Sequence, residues 1–155
     1  MELRRLDGVE RLVCGACGFV FYQNPKPCVG GLIVDGGKLL LAKRGIEPFL
    51  GYWDIPGGFL EDGEHPEAGL IREMQEETHL LVEPVELLGM YMDVYSTTGD
   101  STLNICYIAR RVSGKAQSAS DVVDLHWFDI AHLPKQIAFD WSMDALQQLQ
   151  QRYDT

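Results

Sequence analysis

The segment GGFLEDGEHPEAGLIREMQEETHL, residues 57–80, constrains this chain more than any other. It begins in the breaker cluster Pro56-Gly57-Gly58, which ends any strand before it. Pro66 suits a first helical turn, where its missing N–H has no partner to lose, so a helix is predicted from about Glu67. Ala68, Ile71, Met74 and Thr78 recur at three- and four-residue spacing and predict one apolar stripe. The segment also carries seven acidic residues, among them Glu73, Glu76 and Glu77. Glu73 and Glu77 are one helical turn apart and project from one face, with Glu76 flanking it. Like charges at that spacing destabilise a helix. Arg72 lies one turn before Glu76 and can pair with it, and a bound cation can offset the rest. Hard divalent cations such as Mg²⁺ take oxygen ligands of this kind, whereas a charge run alone is more often a solvated face.

The flanks read as strands. CVGGLIVDGGKLLLAKR, residues 28–44, places Asp35-Gly36-Gly37 between apolar runs, a hairpin signal. Residues 51–59 (GYWDIPGGF) give a short strand, residues 80–96 and 101–112 longer ones with a loop at TTGD, and VVDLHWFDI another short one. FDWSMDALQQLQQRY is predicted as a terminal helix with Ala145, Leu146 and Leu149 facing inward. Strands on both sides of a central helix, plus a second helix, imply an α/β fold with a mixed sheet covered on both faces. The formal net charge of −10 repels nucleic-acid phosphates and no basic patch offsets it, so no nucleic-acid partner is expected. No apolar run approaches the ~18 residues of a membrane span, and the charged start MELRRLDGVERL lacks a signal-like apolar stretch. With four cysteines read as thiols or metal ligands, the expected compartment is the cytoplasm.

The central segment resembles the Nudix hydrolase signature G-x5-E-x7-R-E-U-x-E-E-x-G-U, in which U is a bulky apolar residue. Gly58, Glu64, Arg72-Glu73-Met74, Glu76-Glu77 and Leu80 fall at its fixed positions. His79 stands where the signature has glycine; a left-handed helix end there costs a histidine on the order of 1 kcal/mol. The resemblance implies a Nudix α/β/α sandwich over residues 27–155, and hydrolysis of a nucleoside diphosphate linked to a group X. It implies Mg²⁺ or Mn²⁺ held by Glu73, Glu76 and Glu77 with the carbonyl of Gly57. Glu64 is then a support for the loop and for Arg72. The general base is not fixed by the signature, and Asp93, Asp100 and Asp121 are candidates.

Residues 1–26 are expected to form a separate N-terminal hairpin. Cys14-x-x-Cys17 is one knuckle of a zinc ribbon, and one pair is half of a tetrahedral site. Some Nudix hydrolases carry a full ribbon before Y-x-N-P, which Tyr22-Gln23-Asn24-Pro25 resembles. A metal-free remnant held down by Phe19, Phe21 and Tyr22 is expected, with zinc, shared by Cys14 and Cys17 across a homodimer, as the other outcome. Cys28 and Cys106 read as small apolar core residues. The Y-x-N-P start resembles the pyrophosphatases of ADP-ribose, FAD and NADH; the stretch RGIEPFLGYWDIPGGFLEDGE and QIAFDWS resemble the ADP-ribose and FAD branch, and the motif S-Q-P-W-P-F-P-x-S of the NADH enzymes is absent. A nucleotide-type substrate is therefore expected, contacted by Arg44, Gly58, Phe49 and Trp53, with Tyr52, Tyr91, Tyr95, Phe139 and Trp141 as further stacking candidates. The other readings are a nucleoside triphosphate sanitising enzyme and a non-catalytic regulatory module; retention of every signature glutamate favours an enzyme.

Overall fold

A computed structural model describes residues 1–153. Its frame is a seven-stranded mixed sheet. The long members are β4 (Lys26–Asp35), β5 (Lys38–Arg44), β8 (Leu81–Tyr95), β9 (Asp100–Ser113) and β10 (Val122–Asp129), ordered β10-β5-β4-β9-β8. Two short strands, β6 (Trp53–Asp54) and β7 (Gly57–Phe59), pair with β5 and β4. β4 and β9 run parallel at the centre while β8 and β10 are antiparallel to their neighbours, so the sheet is mixed as expected.

The hairpin between β4 and β5 follows from its glycines. Asp35 pairs with Lys38, leaving Gly36 and Gly37 as a two-residue turn with φ of 57° and 76°. Both values are positive, as a type I′ turn requires, and only glycine adopts them freely. The turn aligns three consecutive leucines on β5, and all three are fully buried. Leu40 faces one side of the sheet, and Leu39 and Leu41 the other. Such two-sided burial needs a helix on each face. α1 (Pro66–Thr78) covers the Leu40 side with Leu70 and Met74. α2 (Asp140–Tyr153) covers the other with Trp141, Ala145, Leu146 and Leu149.

The stripe of α1 differs by one position from the expected one. Leu70, Met74 and Thr78 are buried along with Gly69 and Glu73, while Ala68 is exposed and Ile71 half-buried. The helix is rotated so that Glu73, a charged residue, faces the sheet beside β7. Its C-terminus ends at His79 in the left-handed region, φ 58°, with the His79 N–H donating to Gln75 O. The histidine ring is held by its Nδ1 contact of 2.9 Å with Gln117 O. The single strand expected over residues 51–59 is broken into β6 and β7 by Pro56.

Residues before 22 form a second, three-stranded antiparallel sheet: β1 (Glu2–Leu6), β2 (Val9–Val13) and β3 (Val20–Phe21). Val13 alone of residues 1–25 is buried. Phe19, Phe21 and Tyr22 are exposed, against the expectation that they fasten this segment; Tyr22 instead carries the Arg11 guanidinium 4.6 Å from its ring centre. Among the described residues, no helix is long and apolar enough to cross a membrane.

Candidate active site

Two glycines set the geometry beside α1. Gly57 has φ 154°, and a Cβ there would lie 2.0 Å from Val29 O. A Cβ on Gly58 would lie 2.7–2.8 Å from the carboxylate atoms of Glu73. Glycine at both positions is what lets β7 lie flat against β4 on one side and a carboxylate on the other. Glu77 Oε2 accepts the Gly57 N–H at 2.9 Å, which ties the end of α1 to the same loop.

Arg72 organises the other carboxylates. Its Nε and one Nη donate to Glu64 at 2.7 and 2.9 Å, a bidentate pair. Its second Nη reaches Glu73 at 2.7 Å and Glu76 at 3.3 Å, while Phe59 O accepts from the first Nη at 3.1 Å. These bonds, Glu64 first, hold the Arg72 pKa above its ordinary value. The same contact holds the Glu64 carboxyl down at about 2. Glu77 has the opposite environment. Burial pushes its pKa up to about 8; the Gly57 N–H opposes this, and the negative charges of Glu73, Asp54 and Asp121 reinforce it. Burial also raises Glu73, in spite of Arg72.

From Glu77 and Gly57 an open cleft of about 870 Å³, part of it solvent, runs along the α2 side of the sheet. Arg44 and Asp54 stand in its wall. Arg44 Nε donates to Pro48 O at 2.7 Å, and its guanidinium lies 4.9 Å from the Phe139 ring centre. Asp54 is buried; its Oδ1 accepts from Ser142 Oγ at 2.7 Å and the Ile55 N–H at 2.8 Å. Arg44 reaches Oδ2 only at 3.4 Å, so burial wins and the carboxyl titrates near 6. Beyond them the cleft is walled by Phe59, Tyr95, Phe139 and Trp141, with Cys28, Thr102 and Asn104 on its floor. Tyr95 and Phe139 are near-parallel, 6.1 Å between ring centres, and Phe59 meets Tyr95 edge-on at 5.9 Å.

Of the expected substrate contacts, Arg44 and Gly58 line this cleft. Phe49 and Trp53 are not among its lining residues. Phe49 stands behind the wall, edge-on to Phe139 at 5.1 Å. Trp53 packs on Phe128 and His126, with Lys43 over its ring. Alternation along β6 explains this: Trp53 and Asp54 are successive residues and point to opposite faces. Cys106 is buried as expected, whereas Cys28 is half-buried on the cleft floor; burial drives both thiols up to about 12. Asp54, Thr102 and Asn104 were missed. Their signal was a polar residue inside an apolar run, in WDIP and in TLNICYI.

The Nudix domain model matches residues 24–148, most of the chain. The chain belongs to the Nudix family. An ADP-ribose pyrophosphatase of Methanocaldococcus jannaschii is 36% identical over 119 residues, 77% of this chain and 70% of that protein. An NAD-capped RNA hydrolase of Vibrio atlanticus is 29% identical over 78% of this chain, which spans only 44% of that protein. A Nudix hydrolase structure from Nitrosomonas europaea superimposes over 99% of this chain and 86% of its own, with a TM-score of 0.87 and 29% identity. The Nudix domain of NrtR from Shewanella oneidensis, solved with ADP ribose, has a TM-score of 0.70 at 25% identity, covering 85% and 90% of the two chains. This Nudix protein is thus a hydrolase of phosphorus anhydrides, with the mixed-sheet α/β fold of the family.

Nudix hydrolases generally use a divalent metal such as Mg²⁺. The residues here suit one in kind: their donors are all oxygen, and Glu77 has no cationic side chain against it. Among the described residues no three His, Cys, Asp or Glu side chains converge on one point. Arg72 draws Glu73 and Glu76 toward itself, and Gly57 holds Glu77. Cys14 and Cys17 are both free thiols; the backbone N–H groups of Cys17 and Ala16 hold Cys14 below its ordinary pKa.

Proposed function

We propose that this Nudix hydrolase cleaves the diphosphate of ADP linked to a second group, with ADP-ribose, FAD and NADH as the candidate substrates. The observation that carries this is the continuity of the cleft, from Glu77 of α1 past Arg44 to an aromatic wall. It offers a charged end for a diphosphate and an apolar end for a base. The similarity to an ADP-ribose pyrophosphatase and to a domain solved with ADP ribose supports the same reading. The net charge of −10 argues against an RNA-linked substrate.

Glu73, Glu76, Glu77 and the Gly57 carbonyl are the residues that would hold Mg²⁺ or Mn²⁺, whose charge neutralises the diphosphate. Glu64 positions Arg72, and Arg44 faces a substrate phosphate. Asp121 is the base we assign. Asp93 is committed to the Val94 and Trp141 N–H groups at 2.7 and 3.2 Å, and Asp100 to Lys26 at 2.6 Å. Asp121 lines the cleft and is close enough to Glu77 to raise its pKa. We further read residues 1–26 as a unit separate from the hydrolase domain.

The test is a panel of ADP-ribose, FAD, NADH and deoxynucleoside triphosphates with Mg²⁺ or Mn²⁺, read by chromatography of the products. Release of AMP from an ADP-linked compound is expected, and Asp121→Asn should slow it about a hundredfold. Preferred cleavage of triphosphates would favour a sanitising enzyme, and no cleavage at all a binding module.

A further inference from the structure

The floor of the cleft holds a buried polar pair, with Asp93 on the strand beside it. Asn104 is 3% and Thr102 4% exposed, and as alternate residues of β9 they face the same side. The Asn104 amide has one orientation. Its Nδ2 donates to Tyr91 O at 3.3 Å and to Thr102 Oγ1 at 3.0 Å. A backbone carbonyl can only accept, so the nitrogen must lie on that side and Oδ1 on the other. Among the described residues Oδ1 accepts no hydrogen bond, and neither does the Thr102 hydroxyl donate one. Yet among the described residues no fully buried side-chain N or O lacks a partner, so Oδ1 keeps some accessible surface, and Asn104 lines the cleft. The floor therefore presents a fixed acceptor beside a free donor, in the cleft that Tyr95 and Phe139 also line.

We infer that Asn104 and Thr102 form an adenine-reading subsite. This rests on the nucleotide reading of the cleft and adds which half of the substrate enters it. The adenine edge offers the N6 amino group as donor next to a ring-nitrogen acceptor. Asn104 Oδ1 accepts from N6, and the Thr102 hydroxyl donates to the ring nitrogen. The aromatic wall supplies the apolar contact that any base would gain. A 6-oxo purine reverses the match, because its O6 acceptor faces the Oδ1 acceptor. A buried polar group left facing a like group carries a desolvation penalty, which sets the discrimination at roughly ten- to a hundredfold. The part of the substrate beyond the diphosphate contributes nothing to this selection. ADP-ribose, FAD and NADH all present the same adenine.

Binding of AMP and of IMP to the full-length protein, followed by calorimetry, tests the subsite independently of turnover. AMP is expected to bind tighter than IMP by at least about tenfold. Asn104→Leu, which keeps the volume and removes the acceptor, should bring the ratio close to one, and Thr102→Val should lower it part-way. The ratio is read within each variant, so a general loss of affinity cancels; a melting curve checks that each variant is folded. Equal affinities in the parent protein, a preference for IMP, no AMP binding, or an unchanged ratio in a folded Asn104→Leu variant would each overturn the inference. An AMP preference without cleavage of any ADP-linked compound would leave the subsite standing and remove the hydrolytic reading. Cleavage without a base preference would do the reverse.

Discussion

Two groups of carboxylates at α1 handle the same problem in opposite ways. Glu64, just before the helix, and Glu73 and Glu76 on it all bond to Arg72, an internal cation. Glu77, the residue after Glu76, faces Asp54 and Asp121 across the cleft with the Gly57 N–H in support. The first group is partly compensated by the Arg72 guanidinium, which holds the Glu64 carboxyl down at about 2, although burial still raises Glu73. The second is not, so Glu77 holds its proton up to about pH 8. Crowded carboxylates on one helix thus serve two purposes. One group builds a rigid support, and the other keeps a charge deficit that a proton or an external cation must fill.

Substituting each side separately sharpens the contrast. Glu77→Gln should reduce hydrolysis at saturating Mg²⁺ about a thousandfold while leaving the circular dichroism spectrum unchanged. Near-parental turnover would remove Glu77 from the metal site. Arg72→Ala should act on both function and stability. It strands three carboxylates, and a loss of about 1–2 kcal/mol is expected in urea melts once solvent screening is allowed for, with turnover down roughly ten- to a hundredfold. If Glu77→Gln destabilised the metal-free protein more than Arg72→Ala, the two groups would have the reverse roles.

A pH series reads the same difference without mutation. Glu77 and Asp54 have folded pKa values raised to about 8 and about 6, above the ordinary carboxylate range of the unfolded chain. Between those limits the folded state binds more protons than the unfolded one, so stability falls as pH rises. The metal-free melting temperature should drop on the order of 5 °C from pH 5 to pH 8, and Glu77→Gln should flatten the slope. A rise over that window would contradict the assignment. Mg²⁺ should restore the lost stability at pH 8 more than at pH 5, because the proposed ligand is the deprotonated carboxylate.

Smaller effects are expected away from the cleft. His79→Gly should stabilise the protein by at most about 1 kcal/mol by relieving the left-handed residue, less whatever the contact with Gln117 contributes. Cys14→Ser with Cys17→Ser should leave hydrolysis unchanged, since the N-terminal sheet contributes nothing to the cleft lining. Elemental analysis of protein purified without chelator checks the other outcome. About one zinc per two chains, lost with the dimer in the double variant, would make this sheet an assembly element.

The sequence by itself determined the features that depend on local conformation. Gly36-Gly37 demanded a hairpin, Pro66 and His79 bracketed a helix, and the spacing of Gly58, Glu64 and Arg72 to Glu77 identified the family. Each rests on φ preferences or on spacing within a few turns of chain, which neighbouring residues alone fix. Tertiary packing decided the rest. Local spacing paired Arg72 with Glu76, and the family resemblance alone implied Glu64; the fold brings Glu64 within 2.7 Å, and the bidentate pair is the better one. Strand alternation sent Trp53 onto Phe128 and Asp54 into the cleft, from adjacent positions of one motif. Asn104 looked like an ordinary interruption of a core strand until Tyr91, on the neighbouring strand, fixed which of its two polar atoms faces the cleft. Burial and partner identity set the charge and orientation of a side chain, and both are properties of residues brought together from distant parts of the chain.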